Sequence, residues 1–261
     1  MIVKIKYARF TSAGGRDVNE DSINVLKRKD KYCFVLCDGL GGHGMGDVAS
    51  SLVVNEFGKL FSKNKSLKTF LNDAFTGAQK VLLTKQDQLN AQNKMKTTST
   101  AVVMDKRDIY LGHIGDSRIY VFANNKICFR TMDHSVPQML VQTKEISESE
   151  IRNHPDRNKL LRVLGIESSK QLFELHNPFK TKKVQSILLC SDGFWELIDD
   201  EAMCVLLKHS NNVEDWLKSM LEVVRKNGFE RNMDNYSAIA VWCHRPRGNY
   251  FKSLKKRGSK R

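Results

Sequence analysis

Residues 32–46 read YCFVLCDGLGGHGMG, an apolar run that ends directly in an acid and then in a glycine-rich loop. The run Tyr32 to Cys37 is short and bounded by Gly39, which is the pattern of a buried strand. Asp38, placed straight after it, lies at the rim of a core. Three more acidic turns adjoin apolar runs: Asp116 in GDSR, Asp192-Gly193 after ILLCS, and Asp234-Asn235 before SAIAVW. One such turn needs no explanation beyond the ease with which Asp and Gly reverse a chain. All four together have a different consequence. Acids gathered at one rim raise each other's pKa and cost several kcal/mol each unless a cation shares them. The turns therefore predict a bound metal. No Cys or His stands at matching spacing beside them, so the donors are hard oxygens, which suit Mg2+ or Mn2+ and argue against zinc.

Outward from that stretch, Ser22 to Leu26 and Tyr32 to Cys37, joined by KRKDK, read as a hairpin, and residues 2–10 alternate as a strand until Gly14-Gly15 breaks it. Apolar stripes at helical spacing run from Ala49 to Phe61 and from Leu67 to Leu82. Short strands return between 99 and 130 as STAVVM, DIYLGHIG, SRIYVF and ICFR, with Asn124-Asn125 suited to a tight hairpin because Asn tolerates positive φ. Residues 133–170 are polar and weakly patterned, the composition of a functional flap or insertion. Strands at Gln171 to Leu175 and Val184 to Cys190, helices at Glu201 to Lys208 and Val213 to Lys226, and a strand at Ser237 to Cys243 follow. Hairpins in succession, with helix pairs early and late, predict an α+β layered architecture of antiparallel sheets covered by helices. No GxGxxG or GxxxxGKS/T joins a strand to a helix, which excludes a βαβ nucleotide fold.

With 261 residues and 41% hydrophobic content the chain can bury a full core in one domain, expected at 1–244. Cys33, Cys37, Cys128, Cys190, Cys204 and Cys243 form no CxxC pair and fall mostly in apolar runs, which suits buried thiols in a reducing compartment. MIVKIKYARF lacks the apolar core of a signal peptide and no stretch is long enough to span a bilayer, so a cytoplasmic location is expected. Of the formal net charge of +14, eight positive charges lie in 245–261, where there is no acid. That segment reads as a solvated basic tail; contact with nucleic acid or an anionic membrane is the lesser reading.

Taken in chain order, RDVNEDS, CDGLGGHGMGDVAS, TTSTAVV, GHIGDSRIY, TMDHS, NHPDRNKLLRVLG, LCSDGFWELIDDE and DNYSAIAV resemble the metal-dependent protein phosphatases, the type 2C serine/threonine phosphatases, and above all their bacterial branch. The resemblance runs from about Arg9 to Trp242. It implies a four-layer α-β-β-α sandwich of two antiparallel sheets flanked by helix pairs, a flap at about Val136 to Gly165 inserted near the active site, and two Mn2+ or Mg2+ ions at one end. Carried over by position, it makes Asp38 the bridge between both ions and gives one of them the Gly39 carbonyl. Asp192 and Asp234 complete the shell of the other, and Asp116 joins Asp192 on a third, weaker ion. Arg16 clamps the substrate phosphate, Glu20 acts through metal-bound water, and Asp21 and Asn235 support the ligands from behind.

The implied reaction hydrolyses phosphoserine and phosphothreonine monoesters of proteins by direct attack of a hydroxide shared by the two ions, with a serine/threonine kinase as counterpart and a monomer as the default state. No phosphoenzyme is expected, since the cysteines lack a CxxxxxR loop and the seven histidines are scattered. Eukaryotic relatives place a histidine directly after the Asp-Gly; Leu40 occupies that position, and His43 substitutes only if its loop folds back. Asp133 and Ser135 are expected to brace the start of the flap, with His134 and His154 as structural hydrogen-bonding groups. Two other readings compete. An interaction module of the same fold with weak catalysis conflicts with the presence of all four aspartates and Arg16, and a nucleic-acid binder lacks interleaved aromatics.

Overall fold

The computed structural model describes residues 4–41, 44–64, 66–92, 94–230 and 232–244; His43 and the basic tail from 245 lie outside them. The chain begins with β1 (Lys4–Ser12), then the hairpin of β2 (Asp21–Arg28) and β3 (Lys31–Asp38). KRKDK is not a loop: both strands run through it and reverse at Lys29-Asp30, where Lys29 takes φ 55°. Its cationic side chains are mostly solvent-exposed, so pairing Arg28 with Lys31 buries no charge. Two helices follow, α1 (Gly46–Lys63) and α2 (Leu67–Leu89), then four strands, β4 (Ser99–Met104), β5 (Asp108–Ile114), β6 (Arg118–Ala123) and β7 (Lys126–Arg130). Asn124 and Asn125 turn the last hairpin with φ of 52° and 59°, the conformation anticipated for that pair.

The flap opens with α3 (Val136–Gln142), capped by Ser135, and a 3-10 turn at Glu148–Asn153 closed by the Ser147/Glu150 capping box. The strand expected at Gln171 to Leu175 shrinks to β8 (Glu174–Leu175), because Phe173 stacks on Phe75 at 5.0 Å instead of extending the edge. Next come β9 (Phe179–Lys180) and β10 (Ser186–Cys190), the latter starting later than expected because Thr181–Lys183 makes a 3-10 turn. Then follow α4 (Asp192–Trp195), α5 (Asp200–His209), α6 (Val213–Gly228) and β11 (Tyr236–His244).

The strands form two antiparallel sheets, one ordered β1-β11-β10-β6-β7 and the other β2-β3-β4-β5-β8, with β9 also on β5. Three apolar layers hold them. Phe57, Phe70 and Phe75 meet edge to face between the helices α1 and α2 and the second sheet. Trp216, Phe122 and Met220 pack α5 and α6 on the first sheet. Phe34, Leu36, Ile119, Val121, Leu189 and Ile239 fill the slot between the sheets. On β3, Cys33, Val35 and Cys37 face the helices while Phe34 and Leu36 face the slot, so both faces are buried and the strand reads as continuous apolar sequence. The four-layer α-β-β-α sandwich implied by the motifs is the observed fold. Among the described residues no helix is long and apolar enough to cross a membrane.

The base of the flap is fixed by a buried ion pair. Arg118 Nε and Nη2 donate to the two oxygens of Asp133 at 2.8 and 2.7 Å, and the guanidinium lies 3.4 Å over the Trp195 ring. Arg152 ties the flap to the Trp195 carbonyl and, at 2.9 Å, to Asp200. Truncating Asp133 strands a buried cation, so Asp133→Ala should lose about 3–5 kcal/mol in chemical denaturation, and Asp133→Leu with Arg118→Met should recover much of it. An Asp133→Ala loss below about 1 kcal/mol would show the pair to be solvated.

Candidate metal centre

The inter-sheet faces of the strands change chemistry at one end. On β10, Ile187 and Leu189 give way to Ser191; on β11, Val241 and Ile239 to Ser237; on β6, Val121 and Ile119 to Ser117. On β2 and β3 the same two-residue period leads through Ile23 and Leu36 to Asp21 and Asp38, which are direct cross-strand partners. Apolar core passes into a hydroxyl layer and the hydroxyl layer into carboxylates. Ser191 Oγ donates to Asp21 Oδ2 at 2.9 Å and accepts from Ser237 N at 2.9 Å, while Thr98 and Ser117 hydroxyls meet at 2.8 Å. Asp21 Oδ1 is buried with no hydrogen-bond partner.

Asp38 is pinned through its backbone, its carbonyl accepting from Thr98 N at 2.8 Å and Thr97 Oγ1 at 2.7 Å and its N–H donating to Thr98 Oγ1 at 3.1 Å. Gly39 N donates to Glu20 O at 3.1 Å, and a Cβ on Gly39 would sit 2.3 Å from Gly46 O. Gly41 likewise leaves the space that the Glu20 carboxyl occupies. Asp192 starts α4, where Gly193 N donates to its Oδ1 at 2.6 Å, and a Cβ on Gly193 would meet Asn235 O at 2.2 Å. The loops carrying Asp192 and Asp234 are thus pressed together. Asp116, in the turn between β5 and β6, is buried, and its carbonyl accepts from Trp195 Nε1 at 3.0 Å.

The described geometry brings Asp38, Asp116, Asp192 and Asp234 into one group with Asp21 and Glu20. The carboxyls of Asp38 and Asp192 lie close enough together that each acts on the proton affinity of the other. Loss of hydration, then the charges of Asp192, Asp21 and Asp116, holds Asp38 well above the usual carboxylate range. Burial, then Asp192 and Asp133, does the same to Asp116. Asp192 is raised by burial and Asp234, and Glu20 by burial and Asp47. Burial pushes Asp21 up to about 7 against the hydrogen bonds of Ser237 and Ser191. The donor set is oxygen throughout, and an unsatisfied buried carboxylate oxygen belongs to it, so the residues fit hard divalent ions of the Mg2+ and Mn2+ class.

Arg16 lies at the exposed mouth with Nη2 3.2 Å from Asp234 Oδ2. Asn235 does more than adjoin Asp234: its Oδ1 accepts from Glu20 N at 2.8 Å and its Nδ2 donates to Ala13 O and Val18 O at 2.9 and 3.0 Å, so it shapes the whole loop bearing Arg16. Sequence reasoning missed Glu196, pushed up to about 7 by burial and Asp192 and held 3.2 Å from Arg157 of the flap. Both residues stand in quoted motifs, NHPDRN and WELIDDE, but their pairing is visible only in three dimensions. The histidines are not all scattered, because the fold stacks His113 between His134 and His176 with ring centroids 4.5 and 5.1 Å away. His134 Nδ1 accepts from Gly115 N and His154 Nδ1 from Asp156 N, structural bonds of the kind anticipated. A surface cavity of about 680 Å³ lined by Asn125, Gln185, Lys208 and Trp242 lies at the opposite end of β10 from the acids.

Comparison with known proteins bears on this geometry. A family model described as protein phosphatase 2C matches residues 13–236. The chain is 31% identical over 244 residues to the serine/threonine phosphatase stp of Listeria welshimeri, covering 90% of this chain and 95% of that one. The serine/threonine phosphatase Stp1 of Staphylococcus aureus superposes with a TM-score of 0.84 at 26% identity, over 94% of this chain and 96% of that one. The catalytic domain of the serine/threonine protein phosphatase PstP, solved with two manganese ions, does so with a TM-score of 0.75 at 25% identity, over 93% and 99%.

Asp21 titrates higher in the fold than in the unfolded chain, so the metal-free fold favours its protonated form and loses stability as pH rises from about 4 through about 7. In EDTA the melting temperature should fall by on the order of 5–10 °C between about pH 5 and pH 8, and saturating Mn2+ should remove most of that slope. A flat profile in EDTA would mean that the acids do not converge.

Proposed function

The chain belongs to the protein phosphatase 2C family and is a protein serine/threonine phosphatase dependent on Mn2+ or Mg2+; we propose that it works with two ions held by Asp38, the Gly39 carbonyl, Asp192 and Asp234. Asp116 joins Asp192 on a third, weaker ion. The observation that carries this reading is the convergence of Asp38 with its cross-strand partner Asp21 and with Asp192 and Asp116, where burial and then their charges hold its carboxyl well above the usual carboxylate range. When bound, the ions supply positive charge for a phosphate dianion and acidify the attacking water.

The chain's own residues set the geometry around that chemistry. Asp38, held through both its N–H and its carbonyl, fixes the middle of the site. Arg16 offers a planar fork that engages two phosphate oxygens at once and stays charged, and the Asn235 bonds keep its loop in place. Glu20 acts from one remove, its carboxyl filling the space beside Gly41 and Gly46. The pair of Arg157 and Glu196 ties the flap to the edge of the site, where substrate protein must enter. In this reading the substrates are phosphoserine and phosphothreonine proteins, a serine/threonine kinase is the counterpart, and the chain acts as a cytoplasmic monomer.

Hydrolysis of a phosphothreonine peptide and of p-nitrophenyl phosphate should require Mn2+ or Mg2+ and stop in EDTA. Asp38→Asn should lower turnover by about a hundredfold or more. Arg16→Ala should raise KM for the peptide about tenfold with a smaller change in kcat, and Arg16→Lys should restore only part of it. No turnover in Mn2+ above the Asp38→Asn background would sink the reading and leave an interaction module in its place.

A further inference from the structure

Outside the acidic centre, a carboxylate and three imidazoles that the phosphatase reaction does not use are gathered where β8 joins β5. His113 and Glu174 are direct cross-strand partners, and His176, two residues after Glu174, continues the ladder by donating its N–H to Leu111 O at 3.0 Å. The two-residue period of a strand therefore puts Glu174 and His176 on one face with His113. Ile109 and Leu111 precede His113 on that face, and the Phe129 ring lies 5.0 Å from His176.

The hydrogen bonds fix which nitrogens carry lone pairs. His113 Nε2 is 2.8 Å from Met132 O, and a carbonyl only accepts, so Nε2 holds the proton and Nδ1 is bare. A metal-ligating histidine is set up in this way, its far nitrogen bonded to a backbone carbonyl. The bare Nδ1 accepts from His176 Nε2 at 3.1 Å; an ion displaces that proton to His176 Nδ1, 3.6 Å from Glu174 Oε1, and one ligand atom from each of His113, Glu174 and His176 then falls within a span of 4.8 Å. Two donors on one tetrahedral ion lie about 3.3 Å apart when each is about 2.0–2.1 Å from it. His134, buried and stacked on His113, accepts from Gly115 N at Nδ1, so its proton is on Nε2, which has no partner and points toward Glu174 Oε2 at 3.5 Å. Burial holds His113 and His134 down to about 4 and lowers His176, so the three rings are neutral at neutral pH. The opposing charge nearby is Arg162, which is exposed and so screened by water. Glu174 is part-exposed and gives an ion its way in.

We propose that His113, Glu174 and His176 form a second metal site, rich in nitrogen, that takes a borderline divalent ion of the zinc type with water completing its shell. Imidazole donors select such an ion against Mg2+ and Mn2+, which the oxygen-only centre takes, so the chain sorts two classes of cation to two places. Through the Met132 carbonyl an ion here braces the turn that leads into the flap, and through Glu174 and His176 it clips β8 to the sheet edge.

The test adds Zn2+ to Mg2+-saturated protein and follows histidine ring nitrogens in long-range 1H–15N spectra. At one equivalent the nitrogens of His113 and His176 should shift to metal-bound positions while those of His154 and His209 stay put. No histidine among the described residues lies in the acidic centre, so zinc entering there moves none of these signals. By calorimetry, Glu174→Gln and His176→Gln should each weaken this zinc binding at least about tenfold. Both should keep Mn2+-dependent hydrolysis of p-nitrophenyl phosphate. Unmoved ring nitrogens in the unmodified protein at saturating Zn2+ would show that the two rings merely share a proton and would overturn the site, with no variant needed. Equal zinc uptake by the unmodified protein and both variants would overturn it as well.

Discussion

Mutual repulsion among carboxylates at one end of a hydrophobic slot is the constraint on which the rest of this structure depends. Burial first, and then the charges of neighbouring acids, raises the proton affinity of Asp21, Asp38, Asp116 and Asp192, and among the described residues no lysine is ion-paired with them. The arginines that come near do so from the rim, where Arg16 meets Asp234 and Arg157 meets Glu196. The deeper cation, Arg118, is already neutralised by Asp133. A group of acids arranged in this way has a high proton affinity when empty and a high metal affinity when ionised, and these are two expressions of one electrostatic fact. Sheets, glycines and hydroxyls can be understood as the means of holding that arrangement in place.

The glycines show how tightly the means are fitted. Gly39, Gly41 and Gly46 carry no side chain where the Glu20 carboxyl and two backbone segments converge. Gly193 plays the same part where the Asp192 turn meets Asn235. A glycine-rich stretch in the sequence therefore records close approach as much as freedom of φ and ψ.

Most of the layers and most of the acids were legible in the sequence, and for physical reasons. β3 is buried on both faces, so its apolar run is unbroken; α1 and α2 bury one face each, so their stripes are clean. Asp-Gly and Asp-Asn after or before such strands mark where a sheet ends. What was not legible depends on pairing between distant residues. The lysines of KRKDK give no sign of whether the strands pass through them, because exposed positions tolerate charge in strand and loop alike. β8 is cut short by the stacking of Phe173 on Phe75, a choice made by the α2 surface and not by local sequence. Arg157 and Glu196 are 39 residues apart and His113 and His176 are 63 apart, and nothing local to any of them names its partner.

The hydroxyl layer between core and acids bears on how this protein can change over generations. Ser117, Ser191 and Ser237 separate Ile119, Leu189 and Ile239 from the carboxylates by one full step along each strand. A methyl gained or lost in the slot is taken up among apolar neighbours, and the hydrogen bonds of the serines, which tie Asp21 to β10 and β11, remain the reference frame for the acids. The apolar interior is thus open to drift while the rim is held, and the inheritance of stability and the inheritance of chemistry run on separate sets of positions.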